Sequence, residues 1–144
     1  IDLESLCITE GEKVLSMYID IYAVNDDGNL FDASSMAALV ALNNTRLPKL
    51  EDGVMVNGEY NGMLKLSNQP LLSTTVKASN HVLSDADLGE EKSMHARFSF
   101  GSTEKGVLTA FQKGGSGSYS IAELEKAIEM GLKNGKSLRK LLKV

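Results

Sequence analysis

Val14–Val24 constrains the fold more than any other stretch, because it alternates. Leu15, Met17, Ile19, Ile21 and Ala23 share one side, and Val14, Ser16, Tyr18, Asp20, Tyr22 and Val24 the other. A period of two predicts a strand. Its fully apolar face is expected on a core, and its aromatic and polar face against another layer or a subunit. The turn Asp26-Asp27-Gly28-Asn29-Leu30-Phe31-Asp32 follows directly. It feeds a helix predicted from about Asp32 to Asn43. Ala33, Met36, Ala37, Ala38, Leu39, Val40, Ala41 and Leu42 make that helix apolar nearly all round, which predicts burial on most sides. Pro48 biases Leu47 away from helical geometry.

A turn that feeds a helix offers free N–H groups and the positive end of the helix dipole, the geometry of a phosphate site. The residues do not supply the matching chemistry. There is one glycine, with two aspartates before it and Leu30 after it, and no Arg or Lys beside it. The turn reads as a helix entry with phosphate-site geometry but without phosphate-site chemistry. An ordinary strand–turn–helix explains the same residues.

The remainder alternates between β-rich runs and turn signals. Val54–Tyr60 reads as a short hairpin, since Asn57-Gly58 suits a type I′ turn, and Asn61-Gly62 is a second turn signal. Leu71–Ala78, preceded by a breaker at Gln69-Pro70, and His81–Leu83 read as strands, and Ser84–Glu91 reads as an acidic turn. Met94, Ala96, Phe98 and Phe100 alternate with His95, Arg97, Ser99 and Gly101. With Val107–Gln112 they predict an antiparallel hairpin. Lys113–Ser118 is glycine-rich but lacks both the Gly-Lys-Ser/Thr ending of a P-loop and the full Rossmann glycine pattern, so it reads as a flexible connector. Ser120-Ile121-Ala122-Glu123 is a capping box. The helix it opens is predicted to reach about Leu142, with Ile121, Leu124, Ile128, Leu132, Leu138 and Leu142 on one stripe. Glutamates crowd its first half, and Lys133, Lys136, Arg139, Lys140 and Lys143 its second, an order that complements the helix dipole. That basic end is either a solvated terminus or a contact for RNA.

Composition narrows the chemistry. The 144 residues suffice for about one domain with a real core. A net charge of −4 argues against bulk attraction to nucleic acid, so any such binding needs a local basic patch. The single cysteine, Cys7, allows no internal disulfide, and a reducing, cytoplasmic setting is the expectation. No apolar run is long enough to span a bilayer, so no membrane is expected. His81 and His95 are the only histidines, and no zinc spacing or convincing Ser-His-Asp arrangement is present. Asp85 and Asp87 read as a surface acidic turn rather than a metal pair. No metal or cofactor is expected.

Several segments together resemble one family. Gly11-Glu12-Lys13-Val14 with Tyr18–Tyr22, Asp26–Asn29, Asp32-Ala33 and Ala37–Leu42 are similar to the RNase PH-like fold. More narrowly they resemble the non-catalytic RNase PH-like subunit of the archaeal exosome. Met55–Gly58, Leu72–Val76, Leu88–Glu91, Ala96-Arg97 and Gln112–Gly115 agree. The resemblance covers nearly all of this chain and about the C-terminal half of a usual family subunit. It implies an α+β fold of the RNase PH-like (ribosomal protein S5 domain 2-like) type: β-sheet layers, a buried helix and a long C-terminal helix. Residues 1–50 would be the end of the first domain, and residues 51–144 the C-terminal domain.

The resemblance also implies a role. Catalytic relatives carry Gly-Ser/Thr-Arg at the strand-to-helix turn, where the arginine and the helix N-terminus bind inorganic phosphate. Gly28, Asn29 and Leu30 match those positions, so the cation is gone. Catalytic relatives also use an aspartate pair late in the chain, and His95 stands where one of the two would be. The non-catalytic archaeal subunits often keep an acidic residue there, so His95 departs from them too. The expectation is a non-catalytic, RNA-binding ring subunit of a 3′→5′ phosphorolytic exoribonuclease complex. Its partners would be a catalytic paralogue in a hetero-hexameric ring, RNA-binding cap proteins and single-stranded RNA, with Arg97 and His95 as RNA-contact candidates. The alternative is that the chain is itself a phosphorolytic exoribonuclease of the same class.

Overall fold

The computed structural model describes residues 1–142. After a 3₁₀ turn at Glu4–Leu6, the elements are β1 (Cys7–Thr9), β2 (Lys13–Val14), α1 (Leu30–Asn43), β3 (Arg46–Glu51), β4 (Val54–Met63), β5 (Leu71–Ala78), β6 (His81–Ser84), α2 (Leu88–Ser93), β7 (Ala96–Ser102), β8 (Leu108–Gly114) and α3 (Ile121–Leu142). The organising unit is an antiparallel sheet in the order β6-β5-β7-β8. Strands β5 and β7 pair along their whole length, from Leu71 opposite Ser102 to Lys77 opposite Ala96.

Alternation along these central strands sends neighbouring residues to two helices. Thr74 and Ser99, hydrogen-bonded at 2.9 Å, lie on the side of α1, where the Thr74 N–H donates to Asp32. Ser73, Phe98 and Phe100 lie on the side of α3, where the Ser73 hydroxyl donates to the Gly131 carbonyl at 3.0 Å. The core joins Val82, Phe98 and Phe100 to Ala127, with Leu108, Tyr119, Leu124, Ile128 and Leu132 packed around them. Gly131 lets α3 approach: a Cβ there would lie 2.5 Å from the Phe100 ring. The start of α3 is fixed by the expected capping box. The Glu123 N–H donates to Ser120 Oγ, and the Ser120 N–H donates to Glu123 Oε2 at 2.7 Å. The same carboxylate meets Lys77 Nζ at 2.8 Å. That ammonium, above the other donors, holds the Glu123 carboxyl down to about 2.

Several expectations are corrected. Of the alternating stretch only Val14 lies in a strand, the two-residue β2; residues 15–29 carry no regular structure. Tyr18, Tyr22 and Val24 are almost fully exposed, and Ile19 and Ile21 about half. A strand requires a neighbour to take its N–H and C=O groups, and none of the described strands lies beside these residues. Helix α1 forms as expected but is not buried on most sides. Leu39 is its one buried residue, because only one flank meets the sheet.

The hairpin expected within Val54–Tyr60 is instead a single long strand. The β3–β4 turn falls at Asp52-Gly53, both at positive φ (50° and 73°), which is the type I′ requirement. Gly58 and Gly62 sit at irregularities of β4, where the register to β3 slips. The glycine-rich 113–118 stretch is no loose connector. Gly114 ends β8, and the Gly117 N–H donates to the His95 carbonyl at 2.7 Å. On α3, Ile121 is exposed, and the buried line is Ala127, Gly131, Gly135 and Arg139. Arg139, expected in the basic solvated end, donates to the carbonyls of Gln69 (2.8 Å) and Ser102. Lys143 lies outside the described residues.

Candidate functional site

The turn at Gly28 is where phosphate-site geometry was expected. Gly28 has φ 95°, and a Cβ there would lie 2.4 Å from the Ala86 carbonyl oxygen, so the turn is pressed against the acidic 85–91 segment. Asn29, at φ 51°, is the N-cap of α1. Its N–H, the group an anion would need first, donates to Glu91 Oε1 at 2.9 Å. The Gly28 N–H donates to Asp26 Oδ1 at 2.9 Å. The Asn29 amide donates to Asp85 Oδ1 at 3.0 Å and Asp32 Oδ2 at 3.2 Å. Asp32 Oδ2 in turn accepts from the Thr74 N–H at 2.9 Å.

The turn therefore already holds its anions, and they are its own side chains. An external phosphate would have to displace Glu91 and sit among Asp26, Asp32 and Asp85. Like charges about 4 Å apart repel by on the order of 4 kcal/mol at an effective dielectric near 20. An exposed helix N-terminus returns only about 0.3–1 kcal/mol. The repulsion wins, and Leu30 contributes no guanidinium. Beside the turn lies a cleft of about 310 Å³, lined by Asn29, Asp32, Met36, Ser84, Asp85 and Asn134 among others. Two buried acceptor atoms there, Asn29 Oδ1 and Asp32 Oδ1, have no hydrogen-bond partner among the described residues. No group of three His, Cys, Asp or Glu side chains that could hold a metal is found among the described residues.

The two RNA-contact candidates are separated. The Arg97 guanidinium lies over the Phe31 ring, 4.2 Å from its centroid, in the first turn of α1. It forms no ion pair among the described residues, and its Nε is buried without a partner. His95 lies just before β7, exposed, with its backbone tied to Lys77 and Gly117. The site residues that sequence reasoning missed are Glu91, Asp85, Asp32 and Thr74. A signal existed for the first two. A turn with unsatisfied N–H groups and an acidic 85–91 segment are natural partners, but they are 62 residues apart at Asn29 and Glu91.

Residues 2–48 match domain 1 of the 3′ exoribonuclease family, and residues 68–134 match domain 2 of that family. The chain belongs to the RNase PH family of 3′ exoribonucleases. It is 41% identical, over 135 residues, to the exosome complex component Rrp42 of Methanothermobacter thermautotrophicus, covering 92% of this chain and 50% of that protein. It is 38% identical over 146 residues to Rrp42 of Methanopyrus kandleri, covering 99% and 55%. Two solved structures share the RNase PH-like fold. One, an archaeal exosome core, gives a TM-score of 0.89 at 30% identity, covering all of this chain and 57% of that one. The other, the Archaeoglobus fulgidus exosome with RNA bound to the active site, gives 0.87 at 30% identity, covering 97% and 54%. The chain spans about half the length of the curated relatives it matches. Within the RNase PH frame, Gly28, Asn29 and Asp32 belong to the domain 1 match, and Thr74, Asp85, Glu91 and Arg97 to the domain 2 match. The hydrogen bonds at the turn are thus a clasp between the two.

Proposed function

We infer that the chain is a non-catalytic ring subunit of an exosome-type 3′→5′ phosphorolytic exoribonuclease complex, acting in the cytoplasm. One observation carries the reading: the Asn29 N–H is taken by Glu91, and the resemblance adds that Leu30 matches the position of an arginine in catalytic relatives. A phosphorolytic enzyme needs that turn open and cationic. Here it is closed and acidic. The catalytic paralogue supplies the phosphate site and cleavage, and this subunit completes the ring and guides single-stranded RNA, with cap proteins above. The partly exposed strip from Tyr18 to Val24 and the apolar groove at Ile21, Leu30 and Phe31 support assembly, since uncovered apolar surface drives association. No helix among the described residues is long and apolar enough to cross a membrane.

Arg97 is the RNA contact favoured here, because its guanidinium lies over the Phe31 ring and has no ion-pair partner among the described residues. His95, exposed just before β7, is a second contact. The division into residues 1–50 and 51–144 belongs to this reading as well, with the junction inside the β3–β4 hairpin.

The test is a phosphate-dependent RNA degradation assay. The purified chain, with or without magnesium, is expected to release no nucleoside diphosphates, and activity is expected only with the catalytic paralogue. Nucleoside diphosphates released from a 3′ end by this chain alone, with contaminating enzyme excluded, would overturn the reading. In the assembled complex, Arg97→Ala is expected to weaken RNA binding with little change in base preference, because phosphate contacts position without specifying.

A further inference from the structure

Helix α3 has a face that neither the core nor the ring reading uses. Ala127, Gly131, Gly135 and Arg139 bury one side of it. At about 3.6 residues per turn, Lys126, Lys133, Lys136 and Lys140 fall on the opposite side, within about 80° of arc. All four are exposed. None lies within salt-bridge distance of a carboxylate among the described residues. Lys133 is four residues after Glu129, a spacing suited to a helical ion pair, yet the two do not pair.

The helix dipole does not account for the row. Its effect fades within the last turn, and Lys126 and Lys133 stand well before it. Glu129 falls within the same arc, so the four lysines leave this face a local net charge of +3 on a chain whose net charge is −4. From Lys126 to Lys140 the row runs about 21 Å at 1.5 Å per residue. We propose that this lysine row is a docking surface for the phosphate backbone of single-stranded RNA, separate from the Gly28 turn and from Arg97. The proposal rests on the reading that the chain handles RNA, and it adds a second track on the outer face of α3. A row of point charges suits a polyanion. The other residues on or beside that face, Ala122, Glu129 and Ser137, include no aromatic or large aliphatic side chain of the kind that would enter a bilayer.

The test uses the full chain and a labelled oligouridylate of about 12 nucleotides, a length within the range of single-strand sites. Binding is followed by anisotropy as sodium chloride is raised. Neutralising about four phosphates predicts a log–log salt slope near −2.8, or about a 50-fold loss of affinity between roughly 50 and 200 mM salt. The variant K126Q/K133Q/K136Q/K140Q, with its helical circular dichroism checked, is expected to bind more than about tenfold more weakly at 50 mM and to lose most of the slope. The corresponding four-arginine variant is expected to restore both. A glutamine variant with the parent's affinity and slope would overturn the proposal. So would lysine-dependent binding to phosphatidylserine vesicles without lysine-dependent binding to RNA. If the lysine row fails while Arg97→Ala still weakens RNA binding by the assembled complex, the ring-subunit reading stands alone. If the chain degrades RNA unaided, that reading falls and the salt slope is judged by itself.

Discussion

Residues 15–24 and β7 carry the same alternating pattern and meet opposite fates. In β7, Phe98 and Phe100 have a paired strand on each side and a helix below, and Phe100 is fully buried. In the earlier stretch Ile19 and Ile21 have no paired neighbour among the described residues and remain about half exposed. A period of two marks a segment able to be a strand. Whether it becomes one depends on backbone partners from elsewhere, because unpaired N–H and C=O groups otherwise go to water. The apolar face of 15–24 is thus a face awaiting a neighbour, whereas that of β7 has found one.

Substitutions can break this contrast. Phe100→Ala empties a position touched by α3 and is expected to cost about 3–5 kcal/mol in denaturant unfolding. A cost below about 1 kcal/mol would mean that the β5–β7–α3 layer is not the stabilising core. Next in size is the joint between the two regions. Gly28→Ala places a methyl group against the Ala86 carbonyl at a positive φ, with an expected cost of about 1–3 kcal/mol. Loss of the Asn29–Glu91 contact should accompany it, visible as faster amide exchange at residue 29.

A smaller effect is expected at the foot of α3. The folded Glu123 carboxyl is held at about 2, below its ordinary value near 4.3. Stability from ionised Glu123 is therefore present above about pH 4.3 and is lost as the pH falls toward about 2. Glu123→Gln removes that contribution at neutral pH and makes the acid-induced decline across this window shallower. An unchanged acid profile would remove the Lys77 pair from the account. The smallest effect belongs to the unpaired stretch. Tyr22→Ser is expected to change the stability of the isolated chain by no more than about 0.5 kcal/mol, and to matter only once a partner is present. A loss as large as that at Phe100 would abolish the comparison.

What could be read from the sequence follows the same division between local and distant causes. The capping box at Ser120 and Glu123, helix α1 and the hairpin of β7 and β8 depend on neighbours close in sequence and are legible, and the strand at Leu71–Ala78 is legible from its β-rich residues although its main partner, β7, is distant. Asn57-Gly58 misleads because three glycine turn signals compete there, and Asp52-Gly53 takes the hairpin. The buried line of α3 is hidden because large apolar residues do not mark it. The helix instead approaches the sheet through Gly131 and Gly135, and it buries Arg139 against two carbonyls. At the candidate site, the missing cation at Leu30 was plain. The identity of the group that takes the anion's place, Glu91, was not, because only the folded chain brings it to Asn29.

That carboxylate makes the loss of anion binding a two-step affair with no rewarding single step back. A guanidinium at position 30 would enter a turn whose Asn29 already engages Glu91, Asp85 and Asp32, and those carboxylates would compete with phosphate for it. The expected result of Leu30→Arg alone is an internal ion pair and a tighter joint between the two family-matched segments. Recovery of phosphate affinity would also require removing Glu91, and that removal by itself loosens the joint. The two positions are therefore coupled, each change being useful only in the presence of the other. A double-mutant cycle at residues 30 and 91 would measure that coupling directly.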